Sequence, residues 1–256
     1  MEQTAMKRLE RKVALITGGG GGIGSAAGEV FCREGARVAL IDMSAEVLNE
    51  AVTRIRAAVP GADVHGFVAD LGREDEANRV VQQIVDVLGS VDILVNNVGI
   101  RRYDAVEDAA WDKWDDILRV NVLSYVSMVR AALPALRKSG RGSIVNVAST
   151  GAVFGRKGMA AYDSSKAALL ALTRTIAHEE AEHGIRANTI CPGYTRTVFH
   201  LNRLGEAAVD SIVPPCVMKR WADPKEMAFP LLWLASDEAS YITGANIMVD
   251  GGYIGP

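Results

Sequence analysis

The stretch TGGGGGIG, Thr17 to Gly24, follows the apolar run VALI and precedes SAAGEVFCREG, a helical pattern. Glycine loses more conformational freedom on folding than any other residue, so five in a row are costly unless the backbone turns sharply or lies against something. A flexible linker is one reading. The other is a phosphate cradle, because a strand, then glycines, then a helix aims backbone N–H groups and the positive end of the helix dipole at an anion. In that reading Gly18 takes the tight turn, Gly22 allows close approach to phosphate, and Gly24 lets the helix pack on the strand. Gly21 and Ile23 complete the loop.

Working outward, the next apolar run, RVALID (37–42), ends in Asp42. A carboxylate at the end of the second strand accepts hydrogen bonds from ribose hydroxyls and repels a 2′-phosphate. The glycine loop holds no Lys or Arg to neutralise such a phosphate, and Asp42 is flanked by Ile41 and Met43. The expectation is NAD rather than NADP. A solvated turn carboxylate is the alternative that needs no ligand.

The rest of the chain alternates in the same way. KVALIT (12–17), RVALID, DVHGFVAD (63–70), VDILVNN (91–97), GSIVNVAS (142–149), IRANTIC (185–191) and ANIMVD (245–250) read as strands. Several are apolar almost throughout, as parallel strands covered on both faces must be. Helical stretches lie between them, and EDEANRVVQQIVDVLG places Val80, Val81, Ile84, Val85 and Leu88 on one face. Such alternation implies right-handed crossovers and an α/β doubly wound sheet of about seven parallel strands with helices on both faces. No Pro/Ser-rich linker or charge run divides the chain, so residues 1–256 read as a single domain. The irregular stretch 192–224 has paired prolines after a short helical pattern and reads as a binding loop, with a lid at about 194–220.

Composition excludes several classes. The 256 residues carry a net charge of -3, which offers nucleic acid or an anionic membrane surface no electrostatic attraction. No apolar run is long enough to span a bilayer. The N-terminus MEQTAMKRLERKVALIT is charged where a secretory signal would be apolar. Cys32, Cys191 and Cys216 are widely spaced, and the four histidines show no paired ligand spacing. The expectation is a reduced, cytoplasmic protein without a metal.

The glycine spacing is TGxxxGxG, and with it come further motifs in order. They are Asp42, Asp70–Leu71, NNVG at 96–99 (with Asn97 and Gly99), Asn121 in RVNVL, Ser149 in NVAST, YDSSK from Tyr162 to Lys166, Pro192–Gly193, and a closing ITGANIMVDGG. Taken together, over nearly the whole chain, they resemble the short-chain dehydrogenases/reductases. NNVG stands where that family commonly has NNAG. The resemblance implies a Rossmann-like fold and hydride transfer between NAD and a secondary alcohol or ketone. Tyr162 would be the proton donor and acceptor, and Ser149 would polarise the substrate oxygen. Lys166 would bind the nicotinamide ribose, and Asn121 would hold a helix distortion and a water in a proton relay. Asp70 and Leu71 would meet the adenine, and Asn97 and Gly99 would line the floor. Pro192, Gly193, Thr195 and Thr197 would meet the nicotinamide carboxamide. The resemblance also implies a homotetramer, with the largely apolar C-terminal tail packed against a partner subunit.

Residue chemistry supports the central pair. Tyr162 and Lys166 are four apart on a stretch that reads as one long helix, 159–184, so they share a face. A phenol ionises near pH 10, and a neighbouring ammonium lowers that value toward the working range. NAD as cofactor favours alcohol oxidation as the working direction. Segments after Gly99, at 150–159 and after Gly193 should build the substrate pocket, with Arg101, Arg156, His200 and Arg203 among its candidates. An inward arginine would favour an anionic substrate. Arginines on such loops are more often solvated or at subunit contacts, and a polyol or sugar, or a cyclic or hydrophobic secondary alcohol, stands beside that reading. His200 reads as a lid residue without a catalytic part, and Trp111 and Trp114 read as anchors of the helix carrying Asn121. Two rival readings remain: an NADPH-dependent 3-oxoacyl-type reductase, and a catalytically silent dinucleotide-binding sensor.

Overall fold

The computed structural model describes residues 7–253. The first six residues of the charged N-terminal stretch, and the last three of the apolar tail, lie outside the described residues. Seven strands alternate with helices. They are β1 (Val13–Thr17), α1 (Gly22–Arg33), β2 (Arg37–Asp42), α2 (Ala45–Ala58), β3 (Val64–Val68), α3 (Glu74–Leu88) and β4 (Ile93–Asn96). There follow α4 (Trp111–Leu118), a wide π turn (Arg119–Leu123), α5 (Ser124–Ser139), β5 (Ser143–Val147), α6 (Ala160–Glu180) and β6 (Arg186–Pro192). The chain closes with α7 (Val198–Leu204), α8 (Glu206–Ser211), α9 (Pro224–Ala235) and β7 (Asn246–Val249).

The strands form one sheet in the order β3-β2-β1-β4-β5-β6-β7, and every pair is parallel. All seven strands anticipated from the apolar runs are present, their ends within two residues of the expected ones, with β6 running one residue further, to Pro192. Alternate residues of β1 face opposite ways. Ala14 and Ile16 join a core built with α1, α2 and α9, while Val13 and Leu15 join one built with α3, α5 and α6. Both faces are thus dry, which is why the strands read as continuous apolar runs.

Strand order reverses between β1 and β4, and this opens a crevice at the carboxyl ends of the strands. A buried polar ladder fixes α6 against the far side of that crevice. Asn96 Nδ2 donates to Asn146 Oδ1 at 3.0 Å, Asn146 Nδ2 to Thr173 Oγ1 at 2.8 Å, and Thr189 Oγ1 to Thr173 Oγ1 at 2.8 Å. These bonds tie α6 to β4, β5 and β6, and so fix its register over the sheet, with the buried Asn96 Oδ1 left unpartnered among the described residues. No helix among the described residues is long and apolar enough to cross a membrane.

Two expectations need correction. Trp111 is 84% exposed and anchors nothing, whereas Trp114 packs against the cluster of Ile117, Met159 and Tyr162. The long helix ends at Glu180, and residues 181–183 tighten into a 3-10 turn before Gly184 at φ 71°.

Candidate active site

Three adjoining hollows form one cleft over the crevice. The first, about 590 Å³, is lined by Gly18, Gly21, Asp42, Asp70, Leu71, Asn97 and Gly99. The second, about 240 Å³, shares Gly21, Asn97 and Gly99 and adds Gly22, Ile23, Ser149, Tyr162, Lys166, Pro192, Gly193, Thr195 and Thr197. The third, about 430 Å³, shares Arg101, Ser149, Gly193 and His200 with the second. The structure therefore gathers nearly every residue singled out in the sequence along one cleft. Gly24 and Asn121 stand behind its wall.

The glycine loop is built as its spacing implies. Gly18 sits at φ 62°, where a side chain would be strained, and a Cβ on Gly24 would lie 2.2 Å from the Gly18 carbonyl oxygen. Helix α1 has Gly21 as its N-cap and no side chain capping its first-turn N–H groups. Those N–H groups have no partner within the helix and face the cleft. The Asp42 carboxylate accepts from Gly20 N at 3.2 Å and from Ser44 N at 3.4 Å, which leaves acceptor capacity for a ligand hydroxyl. The Asn97 side chain is spent on the scaffold, since its Nδ2 donates to the Thr17 and Gly18 carbonyls at 3.0 and 3.2 Å. The residues present fit a dinucleotide: phosphate donors at the start of α1, an acid at the end of β2, and an open cleft joining them to Tyr162.

Tyr162 and Lys166 lie one turn apart on α6, both buried. Lys166 Nζ donates to Val147 O at 2.9 Å and to the Tyr125 hydroxyl at 3.3 Å. It stands 5.9 Å from the centre of the Tyr162 ring. Arg101 lies on the other side, its guanidinium donating to the Tyr162 hydroxyl at 3.2 Å. Burial pushes the Tyr162 phenol up, but the charge of Arg101 and then that of Lys166 outweigh it, with smaller help from Ser149, and bring it down to about 8. Burial lowers Lys166, and the Tyr162 charge acts against that. Tyr125, fully buried, is pushed well up by that burial and then by the charge of Tyr162, even with Lys166 Nζ at its hydroxyl. Two tyrosines a few ångströms from one ammonium are thus driven in opposite directions.

Lys166 is therefore one of two cations acting on Tyr162, and Arg101 is the stronger. Sequence reasoning had Arg101 only as a pocket candidate and missed Tyr125. Nothing local marks either residue, because each meets Tyr162 or Lys166 only through the fold.

Asn121 occupies the π turn between α4 and α5, the helix distortion that the resemblance implied. Its Nδ2 donates to Ile100 O at 2.9 Å and Ser165 Oγ at 3.0 Å, and its Oδ1 accepts from Ile100 N at 2.8 Å. It so joins the loop after β4 to α6. Ser149 lies two residues past β5, capping a 3-10 turn, and accepts from Gly151 N at 3.1 Å. The Thr195 hydroxyl turns back to Gly193 O at 3.3 Å, and the Thr197 hydroxyl meets His200 Nδ1 at 3.1 Å.

Comparison with known proteins identifies the family. A model of the family described as enoyl-(acyl carrier protein) reductase matches residues 19–254. The chain is 37% identical over 247 residues to a 3-oxoacyl-(acyl-carrier-protein) reductase FabG of Thermotoga maritima, covering 96% of this chain and 99% of that one. It is 36% identical over 249 residues to a cyclopentanol dehydrogenase of Comamonas, covering 97% and 99%. The crystal structure of a levodione reductase matches with a TM-score of 0.90 at 31% identity, covering 95% of this chain and 98% of that one. A family model over nearly the whole chain, and relatives matched from end to end, lead to one affiliation: the chain belongs to the short-chain dehydrogenase/reductase family of oxidoreductases.

Proposed function

We propose that this chain is an NAD-dependent oxidoreductase that interconverts a secondary alcohol and a ketone, with Tyr162 as its acid–base group. The observation that carries the reading is a buried phenol, brought to about 8, lining the same hollow as Ser149 and the glycine loop. A bound nicotinamide dinucleotide supplies or accepts the hydride. In alcohol oxidation the Tyr162 phenolate accepts the proton of the substrate hydroxyl, and in ketone reduction the phenol returns it. The Ser149 hydroxyl polarises the same oxygen. Lys166 and Arg101 hold the phenolate charge, and Asn121 braces the turn beneath Lys166 through Ile100 and Ser165. Residues 194–220 form the lid, from which Phe199 and His200 reach the cleft.

Asp42 supports NAD. Its carboxylate lines the first hollow, and the glycine loop has no cation to offset a 2′-phosphate. The similarity to a 3-oxoacyl reductase keeps an NADPH-dependent reductase as the second reading. The same proposal takes the protein as a single-domain, cytoplasmic homotetramer. Exposed Phe229, Tyr241 and Met248 near the C-terminus favour burial against a partner subunit.

The experiment is Tyr162→Phe. Turnover should fall by several orders of magnitude, while NADH affinity, read by fluorescence titration, stays within a few-fold. Undiminished turnover would overturn the assignment of Tyr162. NADPH binding as tightly as NADH would overturn the cofactor reading alone.

A further inference from the structure

Arg101 reaches three groups, none of them a carboxylate. Its guanidinium donates to the Tyr162 hydroxyl at 3.2 Å and the Tyr103 hydroxyl at 3.3 Å, and meets His200 Nε2 at 3.2 Å. An arginine has only donors, so His200 Nε2 must accept. His200 Nδ1 then carries the proton and faces Thr197 Oγ1 at 3.1 Å. Burial, and then the charge of Arg101, push His200 down to about 4, so it stays neutral and holds the guanidinium in place. No carboxylate pairs with Arg101 among the described residues.

The hollow around it is one-sided in charge. No Asp or Glu lines it, whereas Arg101, Arg156, Lys157 and Arg203 do. Arg156 is neutralised by its ion pair with Asp163. Arg203 lies flat over the Tyr103 ring, 3.5 Å from its centre, and forms no ion pair among the described residues. A half-buried guanidinium without a counter-charge loses hydration that only an anion returns in full.

We propose that the alcohol or ketone taken by this chain carries an anionic oxygen group, a carboxylate, sulfonate or phosphate, close to its reacting carbon. Arg101 binds that group, and Arg203 adds charge at the mouth of the hollow. The proximity follows from geometry. The reacting oxygen and the Arg101 donor both meet the Tyr162 hydroxyl, so the substrate's two polar groups lie only a few bonds apart. This inference rests on the oxidoreductase reading above and adds the substrate class to it.

The test pairs each anion with a neutral counterpart. 3-Hydroxybutyrate, 2-hydroxypropanesulfonate and 2-hydroxypropyl phosphate are assayed with NAD and with NADP, each beside the alcohol in which a methyl group replaces the anion. In the unaltered protein at least one anion should exceed its neutral counterpart in kcat/KM by roughly ten- to a hundredfold, as expected for one charge-assisted contact. In Arg101→Met that ratio should collapse toward one. The ratio cancels any common effect on Tyr162, and Arg101→Lys should restore part of it. Calorimetry without turnover should show the preferred anion binding Arg101→Met at least tenfold more weakly. Neutral alcohols turned over as well as every anion, or a ratio unchanged in Arg101→Met, would overturn the inference and leave the oxidoreductase reading standing. Failure of every one of these compounds with either cofactor, though dinucleotide binds, would overturn both.

Discussion

Arg101→Met removes the cation that most lowers the Tyr162 phenol. The guanidinium nitrogen is 3.2 Å from the phenolic oxygen. Taking the delocalised charge as about 4 Å away, at an effective dielectric near 20, gives roughly 4 kcal/mol, or about three pKa units. Water on the open side of the cleft screens part of this, and one to two units is the working expectation. Tyr162 would return from about 8 toward the ordinary phenol value of 10.0 or above, since burial alone pushes it up. The sign for oxidation is fixed because the base is the phenolate: activity rises with pH through the phenol's pKa. At pH 7 a pKa of 8 leaves about a tenth of the protein ionised, and a pKa near 10 leaves about a thousandth. Oxidation of a neutral secondary alcohol should therefore fall about ten- to a hundredfold at pH 7, for a rise of one to two units, and recover at high pH. The assay is reduced-nicotinamide absorbance across a pH series, with ketone reduction as control, since that direction needs the protonated phenol and weakens above the pKa. A limb that stays at about 8 in Arg101→Met, or a loss equal at every pH, would refute the reasoning.

Other outcomes are open to measurement. Asp42→Ala combined with Met43→Arg should shift the ratio of NADH to NADPH affinity, read by fluorescence, at least tenfold toward NADPH. Part of the NADH loss would come from the vacated bond to Gly20 N. Gly24→Ala places a Cβ 2.2 Å from the Gly18 carbonyl oxygen, so calorimetry should show dinucleotide binding lost before the fold is. At the start of α9, Arg220 and the Asp223 N–H bring Glu226 down to about 2 from 4.5. A depressed acid stabilises the folded state above its unfolded value and loses that contribution as pH falls. Acid unfolding of Glu226→Gln should therefore depend less on pH between about 4.5 and 2 than that of the unaltered protein.

Much of the molecule was legible before folding. The strands came through because parallel strands buried on both faces need β-branched runs, as in VALIT and RVALID, and that pattern is local. The glycine loop was legible because a positive φ at Gly18 and the tight contact at Gly24 are demands of a single turn. Helical spacing put Tyr162 and Lys166 on one face, and the accompanying motifs gave the pair its expected role. Trp111 misled because an aromatic residue at a helix start carries no mark of the face it takes, and here that face is solvent.

What the sequence alone determined is therefore whatever depends on neighbours within a turn or a strand: the alternating elements, the anion-binding loop, and a phenol one turn from an ammonium. The tertiary structure decided the electrical environment of that phenol. Arg101 is 61 residues from Tyr162 and His200 is 99 from Arg101, while Tyr125 meets Lys166 across 41. Charges add through space rather than along the chain, and in a cleft of low dielectric their sum depends on ångström distances that only the packed sheet and helices establish.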